Sequence, residues 1–252
     1  MKKLYIILLF FGQFVVAQTA NELFQKANEQ YKLAKYENAI KTYEQIESLG
    51  LISSDLYYNI GNCYYKLNKV APSIYHYEKA LLINPLNTDA ENNLIFARRL
   101  TIDNIEEIPK SVFQKLDDSF VKKLSYDEWA LVSVVFSTLG SILFLLFYFA
   151  YSPGKKRLFF VTSIFCFLLL ITSEIFTVKE YDFYKNTVEA IIYAAETEVK
   201  NSPTENGETV FTLHEGTKVS VLDTVDNWKK IKIADGKIGW MISNELKLLP
   251  VF

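Results

Sequence analysis

The chain has 252 residues, half of them hydrophobic and 22% charged, with a formal net charge of −2. That balance excludes duplex nucleic-acid binding, which needs a concentrated excess of Lys and Arg against phosphate. Six Pro and nine Gly leave little room for long disordered linkers, and the length allows two or three small domains.

The first apolar run opens the chain. Lys2 and Lys3 precede Leu4 to Val16, broken only by Gly12 and Gln13, and Val15-Val16-Ala17 sets small residues before Gln18. This is the layout of a signal peptide at 1–17, with an uncleaved anchor as the alternative. Either way the following segment is exported. No Cys follows Ala17, so a lipoprotein anchor is not expected.

From residue 18 to 102 the chain repeats itself at an offset of 34. Leu23 matches Tyr57, Ala27 Gly61, Asn28 Asn62, Tyr31 Tyr65, Ile40 Ile74 and Tyr43 Tyr77. A period of that length means stacked helical hairpins. The two copies span about 20–53 and 54–87, and the second resembles a tetratricopeptide repeat along its length: Tyr57, Ile60, Gly61, Tyr64, Tyr77, Ala80 and Pro85 stand at its packing positions, with Ser73 a mild departure. Small residues at Ala27 and Gly61 let paired helices approach, and Pro85 ends the second hairpin. Thr88-Asp89-Ala90-Glu91 reads as a capping box opening a terminal helix over 88–100, and Thr19-Ala20-Asn21-Glu22 similarly starts the first helix.

The resemblance implies a concave groove that binds peptides or protein segments, with Phe24, Asn28, Tyr31, Tyr58, Asn59, Asn62, Tyr65 and Lys66, and also Asn21, Lys32 and Asp55, at its positions. Some such repeats grip a C-terminal carboxylate. Asn28 and Asn59 match that pattern, but the lysine expected near Phe24 is missing and Asp89 stands where another basic residue is needed. Asparagines flanked by tyrosines suit an extended backbone instead. The same side chains would equally serve as solvated surface and packing.

Residues 103–128 form a linker and an amphipathic helix. Ile108-Pro109 marks a boundary, and Val112, Phe113, Leu116, Phe120 and Leu124 share one helical face. Such a helix beside a span lies on the membrane surface or packs against the repeats. Trp129 to Tyr151 then carries no charge, long enough to cross a bilayer. Ser125 and Glu128 form its capping box, and Trp129, Tyr148 and Tyr151 sit at its ends as interfacial aromatics do. A second span covers Leu158 to Val178, with Glu174 its only charge, within snorkelling reach of the outer interface. Between the spans, residues 152–157 read as a Pro-Gly turn followed by Lys155, Lys156 and Arg157, which places this loop in the cytoplasm. Export of the N-terminal segment agrees, so residues 18–128 and 179–252 face the periplasm of a bacterial inner membrane. Cys63 falls in a soluble helix and Cys166 inside the bilayer, so they are not expected to pair.

After a linker at 179–187, residues 188–252 turn to short Val, Ile and Thr runs broken by Gly, Asn and Asp. Strands are expected at 189–195, 209–213, 218–223, 228–233 and 238–242, with a tight turn at Asp235-Gly236 and close strand approach at Gly239. The strings HEGTKV, DNW and DGKIGW resemble a bacterial SH3-like domain. Tyr193, Trp228 and Trp240 could form an aromatic ligand surface on it; alternatively the tryptophans plug the barrel.

No chemistry is expected. His76 and His214 lie in different domains, so they build neither a metal site nor a triad, and no GxxxxGK loop occurs. The expected architecture is a multidomain membrane protein: an all-α tetratricopeptide hairpin array, two transmembrane helices and a C-terminal all-β SH3-like barrel. That order resembles the BatE family of the Bacteroides aerotolerance operon, carried by YYNIGNCYYKLNKVAPSIYHYEKALLINPLNTDAENNL and LHEGTKVSVLDTVDNWKKIKIADGKIGW. The resemblance implies a non-catalytic, cofactor-free scaffold assembled with other Bat membrane proteins, some bearing von Willebrand A domains, and a role in aerotolerance or envelope stress. A peptidoglycan-binding sensor, or a regulatory subunit of an envelope enzyme, is the competing reading.

Overall fold

The computed structural model of the protein describes residues 20–106 and 108–250; the signal peptide expected at 1–17 lies outside them. The chain forms two compact units. One joins the segment ending at Ile108 to Val188–Pro250, and the other comprises Pro109–Thr187.

In the first unit, residues 20–32 form α1, followed by α2 (Tyr36–Ser48), α3 (Ser54–Lys66), α4 (Val70–Ile83) and α5 (Thr88–Arg98). The 34-residue periodicity extends to the backbone of the turns. Ala34 and Asn68 both adopt left-handed conformations, and Lys35 N–H and Lys69 N–H reach back to the Gln30 and Tyr64 carbonyls, satisfying helix ends in the same way twice. Ala27, Ala39, Tyr43, Leu56, Tyr57, Ile60 and Ala80 build the helical core. At Gly61 a Cβ would lie 2.7 Å from the Tyr77 ring, which is the close approach that position demands. α4 stops at Ile83, two residues before Pro85. α5 is capped by Asn87, whose side chain accepts from Ala90 N–H, so the cap is one residue earlier than the expected Thr88. Asn caps better than Thr, and Asn87 is also braced by donating to Ser54 Oγ. The Thr19 start of α1 lies outside the described residues.

The C-terminal segment is an antiparallel all-β sheet in the order β3-β2-β6-β5-β4-β1-β7. Its strands are β1 (Val188–Ile192), β2 (Glu196–Lys200), β3 (Thr209–His214), β4 (Lys218–Val225), β5 (Trp228–Lys232), β6 (Ile238–Ile242) and β7 (Leu246–Leu248). The strand expected at 189–195 ends at Ile192, and β2 at 196–200 was not expected. The chain turns at Tyr193 and Ala194, whose N–H groups both donate to the Glu245 carbonyl. β7, Leu246-Lys247-Leu248, escaped the pattern because three residues are too few to read as a strand. Gly239 faces Val199 and the Lys200 carbonyl of β2 so closely that a Cβ would sit 2.5 Å from Val199 Cγ1. Ala190, Ile192, Val199, Leu213, Val219, Ile231 and Met241 fill the interior.

The helical repeats and the sheet form one body. Ile74, Tyr75 and Leu94 share a buried cluster with Ile191 and Leu249. Glu78, 5% exposed, accepts from Lys218 Nζ at 2.9 Å and Arg98 at 2.6 Å, and Lys218 also pairs with Glu189. Gly216, with φ of 87° in the turn before β4, abuts Val70, Ile74 and Thr101. The segment expected to be a polar linker after Thr101 is instead a strap on the sheet. Ile105 packs on the sheet's core, and Ile108 N–H reaches the Ala234 carbonyl. Its isoleucines recur every third residue (Ile102, Ile105, Ile108), a signal the polar neighbours mask.

The second unit holds α6 (Val112–Phe120), α7 (Tyr126–Phe149) and α8 (Pro153–Asn186). α6 opens on a Ser111–Gln114 capping box and leaves Val112, Phe113, Leu116 and Phe120 mostly exposed. Leu124 leaves this face, because a 3₁₀ turn at Val121–Lys123 interrupts the helix. The Ser125–Glu128 capping box of α7 is present. α7 and α8 are both long and apolar enough to cross a membrane. The expected six-residue loop at 152–157 is shorter, because Ser152 caps α8 and Pro153 occupies its first turn, where a missing N–H costs nothing. Lys155, Lys156 and Arg157 are therefore helical. The linker expected at 179–187 is likewise mostly the end of α8.

Two stability outcomes follow. Gly61→Ala should destabilise the first unit by about 1–2 kcal/mol despite alanine's higher helix propensity, because the Tyr77 ring is buried and its hydroxyl is tied to Asn62; a rise in unfolding temperature would contradict this. Lys218→Met should cost about 2–3 kcal/mol by removing one of the two cations that answer the buried Glu78, at the modest end because Arg98 remains and 28% of the Lys218 side chain is exposed. Denaturant unfolding checks both.

Candidate functional site

Two exposed surfaces of the first unit carry the residues expected to bind. On the helical side, Tyr31, Tyr58, Asn62, Tyr65 and Lys66 line a cavity of about 240 Å³ together with Asn93 and Phe96 of α5. The last two were missed because α5 reads as a cap. The 34-residue offset does find them: it relates Asn28 to Asn62 and lands next on Phe96, and it relates Asn59 to Asn93.

The asparagines have a defined chemical posture. Asn62 Oδ1 accepts from Tyr77 Oη and from Asn93 Nδ2, each at 2.7 Å. In the preceding repeat, Asn28 Oδ1 accepts from Tyr43 Oη. Each carbonyl is thereby committed to the tyrosine of the facing helix, which leaves the amide N–H₂ groups to serve the groove. Burial raises the Tyr31 phenol above its ordinary pKa, so it stays a neutral hydrogen-bonding group. Lys66 adds an exposed cation at the cavity edge. Phe24 packs edge-on against Tyr43 and belongs to the helical packing, and neither Asn28 nor Asn59 lines the cavity.

On the sheet, the three aromatics separate. Trp228 and Trp240 are half-buried and neither joins the interior, where Met241 lies instead, so the tryptophans do not plug the barrel. Cross-strand pairs Trp228↔Ile242 and Lys230↔Trp240 place both rings on one face by the period of two. Lys200 and Lys230 ammonium groups stand about 6 Å from the Trp228 and Trp240 ring centres. Tyr193 is elsewhere: it stacks edge-on with Tyr75 of α4, with ring centres 5.9 Å apart, and so serves the joint with the repeats.

The polar groups nearest to chemistry are structural. His76 is buried beside the rings of Tyr57, Tyr64 and Tyr75; burial, then nearby Lys79 and Lys247, lowers its pKa well below the ordinary histidine value. His214 Nδ1 meets Asp103 Oδ1 at 2.7 Å. Asp103 also accepts from His214 N–H and Thr217 Oγ1, so it pins the strap to the turn before β4. Burial alone would raise the Asp103 carboxyl. The bonds from Thr217 and His214 outweigh it and hold the pKa below the ordinary value. Burial pushes the Cys63 thiol up to about 12, which keeps it protonated and inert. Among the described residues, no cluster of His, Cys, Asp and Glu could hold a metal ion.

Comparison with known proteins identifies two modules. The tetratricopeptide repeat family model matches residues 54–87, and the bacterial SH3 domain model matches residues 196–247. No curated protein matches the chain.

A carboxylate with a depressed folded pKa stabilises above its unfolded pKa of about 4, and that contribution is lost as pH falls through the folded value. Asp103→Asn should therefore lower stability by about 1.5–3 kcal/mol near neutrality, with the gap to wild type closing below about pH 4. Parallel unfolding curves from pH 7 to pH 3 would remove this role from Asp103.

Proposed function

We propose that this protein is a non-catalytic scaffold of the bacterial inner membrane whose repeat groove holds an extended segment of a partner protein. The observation that carries the reading is the cavity between α3 and α5. Its tyrosines give flat apolar contact, its asparagine amides can donate to a peptide carbonyl, and Lys66 can meet an acidic group or a chain terminus. The matched modules are of kinds that typically bind rather than catalyse.

The topology reading has two supports. Lys155, Lys156 and Arg157 sit at the connection of two apolar helices and favour a cytoplasmic connection. Residues before α7 and after α8 fold into one unit, which requires an even number of crossings between them. Both modules would then stand together on the periplasmic side. The chain order of repeat, two spans and SH3-like domain agrees with the BatE resemblance, and with it membership of a Bat membrane assembly that includes von Willebrand A proteins and serves aerotolerance or envelope stress.

The bacterial SH3 match keeps a second reading in play, in which the Trp228 and Trp240 face binds peptidoglycan. A sensing role for that binding is disfavoured, because only residues 150–152 separate the two helices, too few for an output domain.

The test is crosslinking capture from native membranes with the full chain. Lys66 and Phe96 are exposed at the cavity and outside the buried clusters, so Lys66→Glu with Phe96→Ala should leave the unfolding temperature nearly unchanged while cutting partner recovery at least tenfold. Asn28 and Asn62 are poorer choices because they hold core tyrosines. Undiminished recovery would move the binding site off the groove, and retention of peptidoglycan fragments lost on Trp240→Ala would favour the second reading.

A further inference from the structure

α7 and α8 close on each other along one seam. Ser133 and Ser173 hydroxyls meet at 2.8 Å, Ser163 Oγ donates to the Gly140 carbonyl, and a Cβ at Gly140 would lie 3.3 Å from Cys166 Cβ. Two grooves flank this seam, and they differ in chemistry. One, of about 430 Å³, is lined by Phe136, Leu139, Leu143, Phe159, Phe165 and Leu169, a surface that lipid tails satisfy. The other, of about 590 Å³, carries Ser137, Thr138 and the Glu174 carboxylate among Val134, Leu170 and Ile175.

The depth of these groups decides what can fill the second groove. Trp129, at the start of the apolar stretch, contacts Phe176 with ring centres 5.0 Å apart. Glu174 precedes Phe176 by two residues, and Ser137 follows Trp129 by eight, which at 1.5 Å per residue puts Ser137 roughly 12 Å inside the tryptophan level. Glu174 is exposed on the helix surface. Among the described residues nothing pairs with its carboxylate or with the Ser137 hydroxyl. Hydrocarbon cannot satisfy the carboxylate, whereas a helical hydroxyl can bond the carbonyl four residues back, as Ser133 and Ser141 do. A lipid headgroup could reach Glu174 from the interface but would bring only acyl chain to the polar Ser137 and Thr138 level of the groove. A second copy of this chain would bring a second Glu174, and neither apolar stretch, 129–151 or 158–178, holds a Lys, Arg or His to answer it.

We infer that the Glu174 groove seats a transmembrane helix of a different protein, one that presents a cationic or amide side chain to Glu174 near its outer end. The inference rests on the membrane reading above, and it adds a second contact, inside the bilayer, to a scaffold whose first contact is the repeat groove. Complementary charge supplies the selection, since an apolar helix would leave the carboxylate unanswered.

The experiment places a photoreactive phenylalanine analogue at Val134, in this groove, or at Phe165, in the apolar one, both 60% exposed. The full chain is irradiated in membranes of its own host. Val134 should give an adduct with another protein whose crosslinked peptide is an apolar segment containing Lys, Arg, His, Asn or Gln, and Phe165 should not. Glu174→Leu should cut that adduct at least tenfold, whereas Glu174→Gln, still able to hydrogen-bond, should retain most of it. A Ser133→Cys/Ser173→Cys disulfide forming in each variant shows that the hairpin is intact. Adducts of two copies, lipid adducts alone, a partner segment lacking those side chains, or equal yields from wild type and Glu174→Leu would each overturn the inference. Release of the wild-type chain by carbonate washing would instead sink the membrane reading beneath it.

Discussion

The buried Glu78 is the constraint around which the first unit is organised. It sits in the middle of α4, and its two cationic partners come from α5 and β4. Burial raises its carboxyl, but Lys218 and Arg98 outweigh this and lower the pKa, so the site holds a charge that is costly unless both partners are in place. That requirement fixes where the sheet sits on the repeats. The apolar contacts of Ile74 and Tyr75 with Ile191 and Leu249 supply attraction without direction. The ion cluster supplies register, and Gly216 supplies the clearance that lets the turn before β4 approach α4.

α4, which forms this joint, also braces the candidate groove from behind, although none of its residues lines the cavity. α4 contributes Tyr75 to the sheet and Tyr77 to Asn62. A Tyr77 ring seated against Gly61 therefore links packing to recognition: it sets the distance between α3 and α4 and also holds the Asn62 amide in the posture the cavity presents. Polar side chains used twice in this way make a groove rigid before any ligand arrives, which lowers the ordering cost of binding.

Local features were legible in the sequence wherever a short-range rule governs them. The repeat offset, the Pro85 stop, the Ser125–Glu128 cap, the two apolar helices and the close approach at Gly239 all follow from neighbours within a few residues or from a fixed period. The misses have a shared cause. The end of β1 depends on the distant Glu245 carbonyl, β7 on its pairing with β1, the Thr101–Ile108 strap depends on Asp103 finding a turn more than a hundred residues away, and Tyr193 left the tryptophan face because Tyr75 claims it. Pairings across that separation leave no periodic trace in the chain. In the candidate groove, the residues on α3 were readable from the repeat pattern, whereas Asn93 and Phe96 were hidden by the terminal position of α5.

The long pairings also bear on how the molecule is made. Tyr75 meets the Leu248 carbonyl, 173 residues later in the chain, and the two apolar helices are synthesised in between. During synthesis the repeats emerge with Ile74, Tyr75 and Glu78 not yet covered by the sheet, and they stay so until the sheet has docked. Closing so long a loop is slow, so the nascent protein passes through a state with a bare apolar patch beside a carboxylate that has Arg98 but not yet Lys218 as its partner. Such a state is a natural substrate for chaperones and quality-control proteases, and truncation anywhere in the final strands would leave the N-terminal half permanently in it.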